Sequence, residues 1–209
     1  MEFAPSFASS TEWAKQDKSM MSEPAEAKRV EPEEWELKFQ CPSLEDLREK
    51  LRDLEAERLS AASAEDNRVY DRDGQLRKEN KLLRLRIEPR GSRLTFKGPP
   101  RYEGQVKIRV EHETEVEDAD QIDAILANLG FEVVRRYQKK REEWHVGGVT
   151  VSLDHTPIGD FVEFEGTGAD VVAKRCGFEL DNAESRTYVE LYEDYRRDNP
   201  DAPPDMVFS

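Results

Sequence analysis

Ionic side chains recur at every second residue along much of this chain. Glu34, Glu36 and Lys38 do so, as do Arg84 with Arg86, Arg93 with Lys97 four residues on, and the run Lys107, Arg109, Glu111 and Glu113. Lys139 pairs in this way with Arg141, and Glu163 with Glu165, while Asp154 closes a Thr150, Ser152, Asp154 series. The acids Glu34, Glu36, Glu111, Glu113, Asp154, Glu163 and Glu165 make an oxygen-rich set suited to Mg2+ or Mn2+. The bases Lys38, Arg84, Arg86, Lys97, Arg109, Lys139 and Arg141 suit a polyanion, since a guanidinium grips phosphate oxygens with two parallel bonds. A ligand that needs both sets is a metal–polyphosphate complex.

Spacing by two is the strand period, in which alternate residues face opposite sides. The residues between the ions are apolar: Trp35, Leu37 and Phe39; Leu83, Leu85 and Ile87; Val149, Val151 and Leu153. One polar face is ordinarily the wet side of a sheet. Here nearly every strand carries ions of both signs on one face and large apolar groups on the other. Four helices are expected to cover the apolar faces. The first follows Ser43 and carries Leu44, Leu47, Leu51 and Leu54 on one side, with Asp46 three residues after the cap position. The others are expected over 119–129, stopped by Gly130, over 169–174, and over 185–197 with Tyr188, Leu191, Tyr192 and Tyr195 inward. Gly147-Gly148 reads as a hairpin turn.

With helices over the apolar faces, the charged faces point into a closed sheet, which also removes exposed edges. The expected fold is therefore α+β: an antiparallel barrel with a charged lumen, covered outside by helices. Charges in such a lumen must be paired or ligated. Glu34 and Glu36 lie about 7 Å apart along one strand. Two metals in a phosphoryl site lie about 3.5–4 Å apart, so the carboxylates must converge from different strands, with Glu163 and Glu165 as the second pair.

Composition narrows the class. Asp and Glu number 46 against 32 Lys and Arg, a net charge of −14, which argues against a nucleic-acid partner because that needs a cationic face. No run of about 18 apolar residues exists, so no membrane span is expected. The first residues lack a basic and an apolar region, so no secretory signal is expected and a cytoplasmic protein is. Cys41 and Cys176 have no ligand-spaced neighbours and read as reduced thiols. His112 falls on an apolar face, His145 near a turn and His155 after Asp154, and none pairs with another. Asp71-Arg72-Asp73-Gly74 opens like a calcium loop but lacks the later ligands and reads as an Asp-Gly turn. Residues 1–32 are expected to form a disordered N-terminal tail, 33–198 the folded domain, and 199–209 a C-terminal tail after Asn199-Pro200.

The ordered motifs resemble the CYTH superfamily, the triphosphate tunnel metalloenzymes. Glu34-x-Glu36-x-Lys38 matches its ExExK signature. Leu83-Arg-Leu-Arg86, Leu94-Thr-Phe-Lys97, Arg109-x-Glu111-x-Glu113, Tyr137-x-Lys139-x-Arg141, Leu153-Asp154 and Phe161-Val-Glu163-Phe-Glu165 follow in order. The resemblance spans about residues 33–195. It implies an eight-stranded antiparallel tunnel, dependence on Mg2+ or Mn2+, and a small-molecule triphosphate as partner, with a homodimer left open. It implies metal ligation by Glu34, Glu36, Glu163 and Glu165, and phosphate binding by Lys38, Arg84, Arg86, Lys97, Arg109, Lys139 and Arg141. Glu111, Glu113 and Asp154 would be further metal, water or positioning groups.

Three functions follow. A hydrolase would cleave a terminal phosphate from inorganic triphosphate, thiamine triphosphate or a nucleotide, with a carboxylate or Lys38 orienting the water. A class IV adenylate cyclase would convert ATP to cyclic AMP and pyrophosphate. A noncatalytic polyphosphate-binding module is disfavoured by the completeness of both ionic sets. The hydrolase is preferred, because it requires only the polyphosphate grip.

Overall fold

The computed structural model describes residues 31–209. The tail expected over 1–32 lies outside the described residues except for its last two. From Glu33 onward the chain forms β1 (Glu33–Gln40), α1 (Leu44–Asp53), β2 (Glu57–Asp71), α2 (Gln75–Lys78), β3 (Leu82–Glu88), β4 (Gly91–Lys97), β5 (Arg101–Glu103) and β6 (Val106–Val116). There follow α3 (Ala119–Asn128), β7 (Glu132–Val146), β8 (Val149–Thr156), β9 (Gly159–Glu165), α4 (Ala169–Arg175) and α5 (Tyr188–Asp198).

Eight strands close into an antiparallel barrel in the order β1-β9-β8-β7-β2-β3-β4-β6, with β6 returning to pair with β1. The expected barrel is thus observed, with one addition. The three-residue β5 pairs with β6 at Arg101↔Ile108 and Glu103↔Val106, and so continues the line of β4 past its last residue. Register places alternate residues as the sequence pattern requires: Glu36 lies opposite Glu165, and Lys38 opposite Glu163.

The apolar core lies outside the barrel wall. Leu37, Phe39, Val151, Leu153, Val162 and Phe164 pack against Leu47 and Leu51 of α1 and Val172 and Ala173 of α4. Leu85 and Tyr70 pack beneath Leu126 and Ile122 of α3. Each fully buried Leu or Phe contributes about 1.5–3 kcal/mol relative to exposure, so the outer layer is the main source of cohesion. Cys41 and Cys176 lie in this layer as free thiols, and burial pushes Cys176 up to about 11.

Local chemistry sets the helix ends. Ser43 Oγ accepts from Asp46 N at 3.1 Å at the start of α1. Gly130 leaves α3 at φ 83°, a left-handed value that favours glycine. The last helix starts at Tyr188 rather than Ser185, because Thr187 and Glu190 form a capping box that fixes the first turn there. Tyr195 does not face inward as expected. It is 41% exposed and stacks on Tyr192 at 5.9 Å, since the buried stripe of α5 is carried by Tyr188 and Tyr192.

The segment after Asn199 packs back on the barrel. Met206 is buried, donates from its backbone to Arg136 O and accepts from Gln138 N, while Tyr192 Oη donates to Pro203 O. Tyr188, Tyr192 and Met206 pack with Tyr137 of β7 and Phe161 of β9. The barrel end where β1 finishes and β9 begins is thereby filled. No described helix is long and apolar enough to cross a membrane.

Candidate functional site

The charged strand faces meet inside the barrel around a cavity of about 270 Å³. Its lining includes nine basic and seven acidic side chains, the reverse of the acidic balance of the whole chain. Every expected site residue except Asp154 lines this cavity, and Asp154 is buried just behind it, within hydrogen-bonding distance of Lys139 and Arg141. None of the three histidines lines it.

The wall formed by β7, β8 and β9 is closed on itself. Lys139 Nζ donates to Asp154 Oδ2 at 2.9 Å, and Arg141 donates to both oxygens of Asp154 at 2.8 and 2.7 Å. Arg141 also bonds Glu163, whose other oxygen lies 3.1 Å from Lys38 Nζ. Burial opposes ionisation of Asp154, but Arg141 and Lys139 outweigh it and hold the carboxyl at about 2. Burial likewise opposes the charge on Lys38, yet Glu163 and Glu36 keep it well above the usual lysine range.

The wall formed by β1, β4 and β6, together with Glu165 at the end of β9, is compensated less well. Glu34 and Glu111 share one cation, Lys97, at 2.5 and 3.1 Å. Burial opposes ionisation of Glu34, but Lys97 and hydrogen bonds from Glu111 and Lys97 hold it at about 2. Burial pushes Glu111 the other way, up to about 7, with Glu34 adding to it against the pull of Lys97. Glu165, nearest to Arg141 at 3.9 Å, is pushed up to about 8 by burial and then by Glu34 and Glu163. Glu36 lies 3.4 Å from Lys38. At the far mouth, Glu113 accepts from Thr95 Oγ1 at 2.8 Å and sits 3.4 Å from Arg93.

The donor set fits a hard divalent cation. All the acids are carboxylates, and those around Glu34 are crowded enough that Glu111 and Glu165 resist ionising together, a condition that a bound cation relieves. Among the described residues no three carboxylates already converge as a ligand cluster. Glu36 and Glu163 are turned toward Lys38, and Glu34 toward Lys97.

Polar atoms left unpartnered point to an anion. Arg84 is buried, with Nη1 donating to Tyr137 Oη and Nη2 to Thr95 Oγ1, but its Nε has no hydrogen-bond partner among the described residues. The same holds for Asn67 Nδ2, whose Oδ1 accepts from Arg86. Arg109 differs from the other bases: its guanidinium donates to the backbone oxygens of Gly98 at 2.6 Å and Asn80 at 2.8 Å, so it ties two loops to the rim.

Sequence reasoning gave no site role to several lumen residues, Arg93 of β4 among them. Glu65, on β2, is buried and lies 3.5 Å from Arg86, 3.6 Å from Lys139 and 3.7 Å from Arg141. Glu143, two residues after Arg141, lines the cavity, and the alternation on β7 could have found it. Lys107 was visible in its strand pattern but given no role; it lines the cavity and donates to Ser185 O at 3.0 Å. Tyr188 enters the lumen from α5, donates to Asp154 Oδ2 at 2.7 Å, and carries Lys38 Nζ 4.4 Å and Lys139 Nζ 5.0 Å from its ring centroid. Its spacing marked it as an inward helix residue, with no sign that inward meant the lumen.

Comparison with known proteins gives a consistent picture. The family model described as CYTH domain matches residues 32–190. A Methanocaldococcus jannaschii protein named "Putative adenylate cyclase MJ0240" is 26% identical over 171 residues, covering 76% of this chain and 97% of its own length. The PH1819 protein of Pyrococcus horikoshii superposes with a TM-score of 0.65 at 29% identity, covering 78% of this chain and 99% of its own. An X-ray structure from Vibrio parahaemolyticus has a TM-score of 0.68 at 24% identity, covering 77% and 97% respectively, and at that identity shows the fold.

Proposed function

This chain belongs to the CYTH domain family, and from that premise we propose that it is a divalent-metal-dependent hydrolase of a triphosphate-bearing substrate. One observation carries the reading. Basic side chains from β1, β3, β4, β6 and β7 converge on one lumen of about 270 Å³, with an Arg84 Nε that has no partner among the described residues. A phosphate chain is the anion that can touch cations on five strands at once.

In this reading Lys38, Arg84, Arg86, Lys97, Arg109, Lys139 and Arg141 hold the chain in line. Glu34, Glu36, Glu163 and Glu165 would hold Mg2+ or Mn2+, which supplies charge neutralisation on the phosphate oxygens when bound. Glu111, which shares Lys97 with Glu34, would orient the water; Glu113 sits at the mouth. Attack of the water oxygen on the terminal phosphorus breaks the bridging P–O bond and releases orthophosphate. Asp154 positions Lys139, Arg141 and Tyr188 rather than meeting the water, because its oxygens are taken up by all three.

The name of the Methanocaldococcus jannaschii relative favours the second reading, an adenylate cyclase using the same grip. Incubation with Mg2+ and each of ATP, inorganic triphosphate and thiamine triphosphate, followed by product chromatography, separates the two. Orthophosphate release is expected. Cyclic AMP with pyrophosphate would overturn the hydrolase reading.

A further inference from the structure

One strand serves the site without lining it. β2 lies between β3 and β7, and register sets its Glu65 opposite Lys139 and its Asn67 between Tyr137 and Arg86. Both side chains are buried, and neither is among those that line the cavity. Three cations that do line it, Arg86, Lys139 and Arg141, lie 3.5, 3.6 and 3.7 Å from the Glu65 carboxylate.

These contacts differ from those of Asp154, the buried acid that shares two of the same cations. Asp154 accepts from Lys139 at 2.9 Å and from Arg141 at 2.8 and 2.7 Å. Glu65 stands off, and its Oε2 has no hydrogen-bond partner among the described residues. Burial opposes its ionisation, but Lys139, Arg141 and Arg86 outweigh it and hold the carboxyl below its usual range. Arg86 is held as loosely, 3.4 Å from Asn67 Oδ1, 3.5 Å from Glu65 and 3.6 Å from Glu88. A carboxylate at such distances offsets positive charge without itself taking up the N–H groups that a phosphate needs.

We infer that Glu65 is a positioning residue for product release: an internal counter-ion behind Arg86, Lys139 and Arg141 that weakens their hold on a phosphate chain. The inference rests on the triphosphate reading of the lumen. In the empty lumen Glu65 stands in for part of the charge of the ligand. A bound chain is repelled by it, and the pyrophosphate left after hydrolysis has fewer contacts to set against that repulsion. Asn67 offers the converse change. Its Oδ1 faces Arg86 and its Nδ2 has no partner among the described residues, so Asn67→Asp keeps the acceptor and adds a second anion of the same kind.

The test is calorimetric binding of pyrophosphate to the full chain with Mg2+, beside steady-state kinetics on inorganic triphosphate. Glu65→Gln should bind pyrophosphate about tenfold more tightly than wild type, the scale of one screened charge close behind the contact. Its KM and kcat should fall together, because product leaves more slowly. Glu65→Asp keeps the charge and should stay near wild type in each measure. Asn67→Asp should bind pyrophosphate about tenfold more weakly. A purely structural Glu65 gives the opposite sign for Glu65→Gln, since displaced cations bind worse. Circular dichroism checks each fold, and if Glu65→Gln is unfolded, Asn67→Asp decides. Unchanged or weaker binding by folded Glu65→Gln, a fall in KM with kcat unchanged, or unchanged binding by Asn67→Asp would overturn this inference and leave the triphosphate reading standing. A wild type that binds neither pyrophosphate nor inorganic triphosphate would overturn both.

Discussion

The two walls of the lumen use the same residue types to opposite effect. On the β7–β8–β9 side, Asp154 is encircled by Lys139, Arg141 and Tyr188, each at hydrogen-bonding distance. On the β1–β4–β6 side, Glu34 and Glu111 divide a single Lys97, and Glu111 is driven up to about 7. Ions fully paired within the chain hold the barrel in shape, because a buried charge stripped of its partner is strongly unfavourable. Ions left short of counter-charge respond to what enters the lumen. The difference leads us to expect the larger loss of stability from breaking the Asp154 cluster and the larger response to ligand around Lys97.

The largest expected effect tests the closed wall. Asp154→Ala leaves Lys139 and Arg141 buried without their shared carboxylate and should cost about 3–5 kcal/mol in denaturant unfolding. A loss below about 1 kcal/mol would mean that this cluster does not support the fold.

On the other wall the effect should fall on activity. Glu36→Gln keeps the shape and removes a charge, so turnover should drop several hundred-fold, about 3–4 kcal/mol of transition-state stabilisation. Its unfolding free energy should stay within about 1 kcal/mol of wild type. A variant that unfolds while retaining specific activity would erase the distinction between the walls.

Ligand addition should separate them further. Mg2+ with inorganic triphosphate should stabilise the protein by about 2–3 kcal/mol at a hundredfold excess over the dissociation constant, seen as a rise in Tm. Orthophosphate at matched concentration should do far less, since it cannot reach several strands together. Lys97→Ala should abolish most of the rise; equal rises with both anions would show that the lumen recognises something other than a phosphate chain. Excess chelator should abolish turnover, and full activity in its presence would remove the metal.

The smallest effect is in acid. Asp154 is depressed to about 2 in the folded chain, below the usual carboxylate value near 4. Its contribution to stability is therefore complete above about pH 4 and fades as pH falls through about 2. Stability measured from pH 7 to 2 should show that acid loss in wild type. Asp154→Asn should lack this component, and an unchanged acid limb in the variant would place the titration elsewhere.

Much of the barrel was legible because its strands separate ions from apolar groups cleanly. Leu83, Leu85 and Ile87 against Arg84 and Arg86 leave only one arrangement in which helices cover one face and charges are enclosed. β2 was not legible. Its Ser-Ala-rich first half carries two register shifts against β7, between Arg58 and Ser60 and between Ser60 and Ser63. Its second half bears polar groups on both faces, Glu65 and Asn67 inward, Asp66 and Arg68 outward, where Arg136 and Asp123 meet them. With alternation masked, Glu65 gave no signal, although it is among the most enclosed acids of the lumen.

The sequence by itself determined the closed antiparallel barrel, the side of each patterned strand that faces inward, and the ionic types that line it. Those follow from a two-residue period and from the cost of burying unpaired charge, both of which are local to each strand. Tertiary structure alone decided which acid meets which base: that Asp154 is satisfied three times over, that Glu34 and Glu111 compete for Lys97, and that Tyr188 enters the lumen from α5. Strand pattern fixes a face but not a partner. Partners depend on how eight strands are staggered around the barrel and on where the last helix lands, and both are set by contacts between residues distant in the chain.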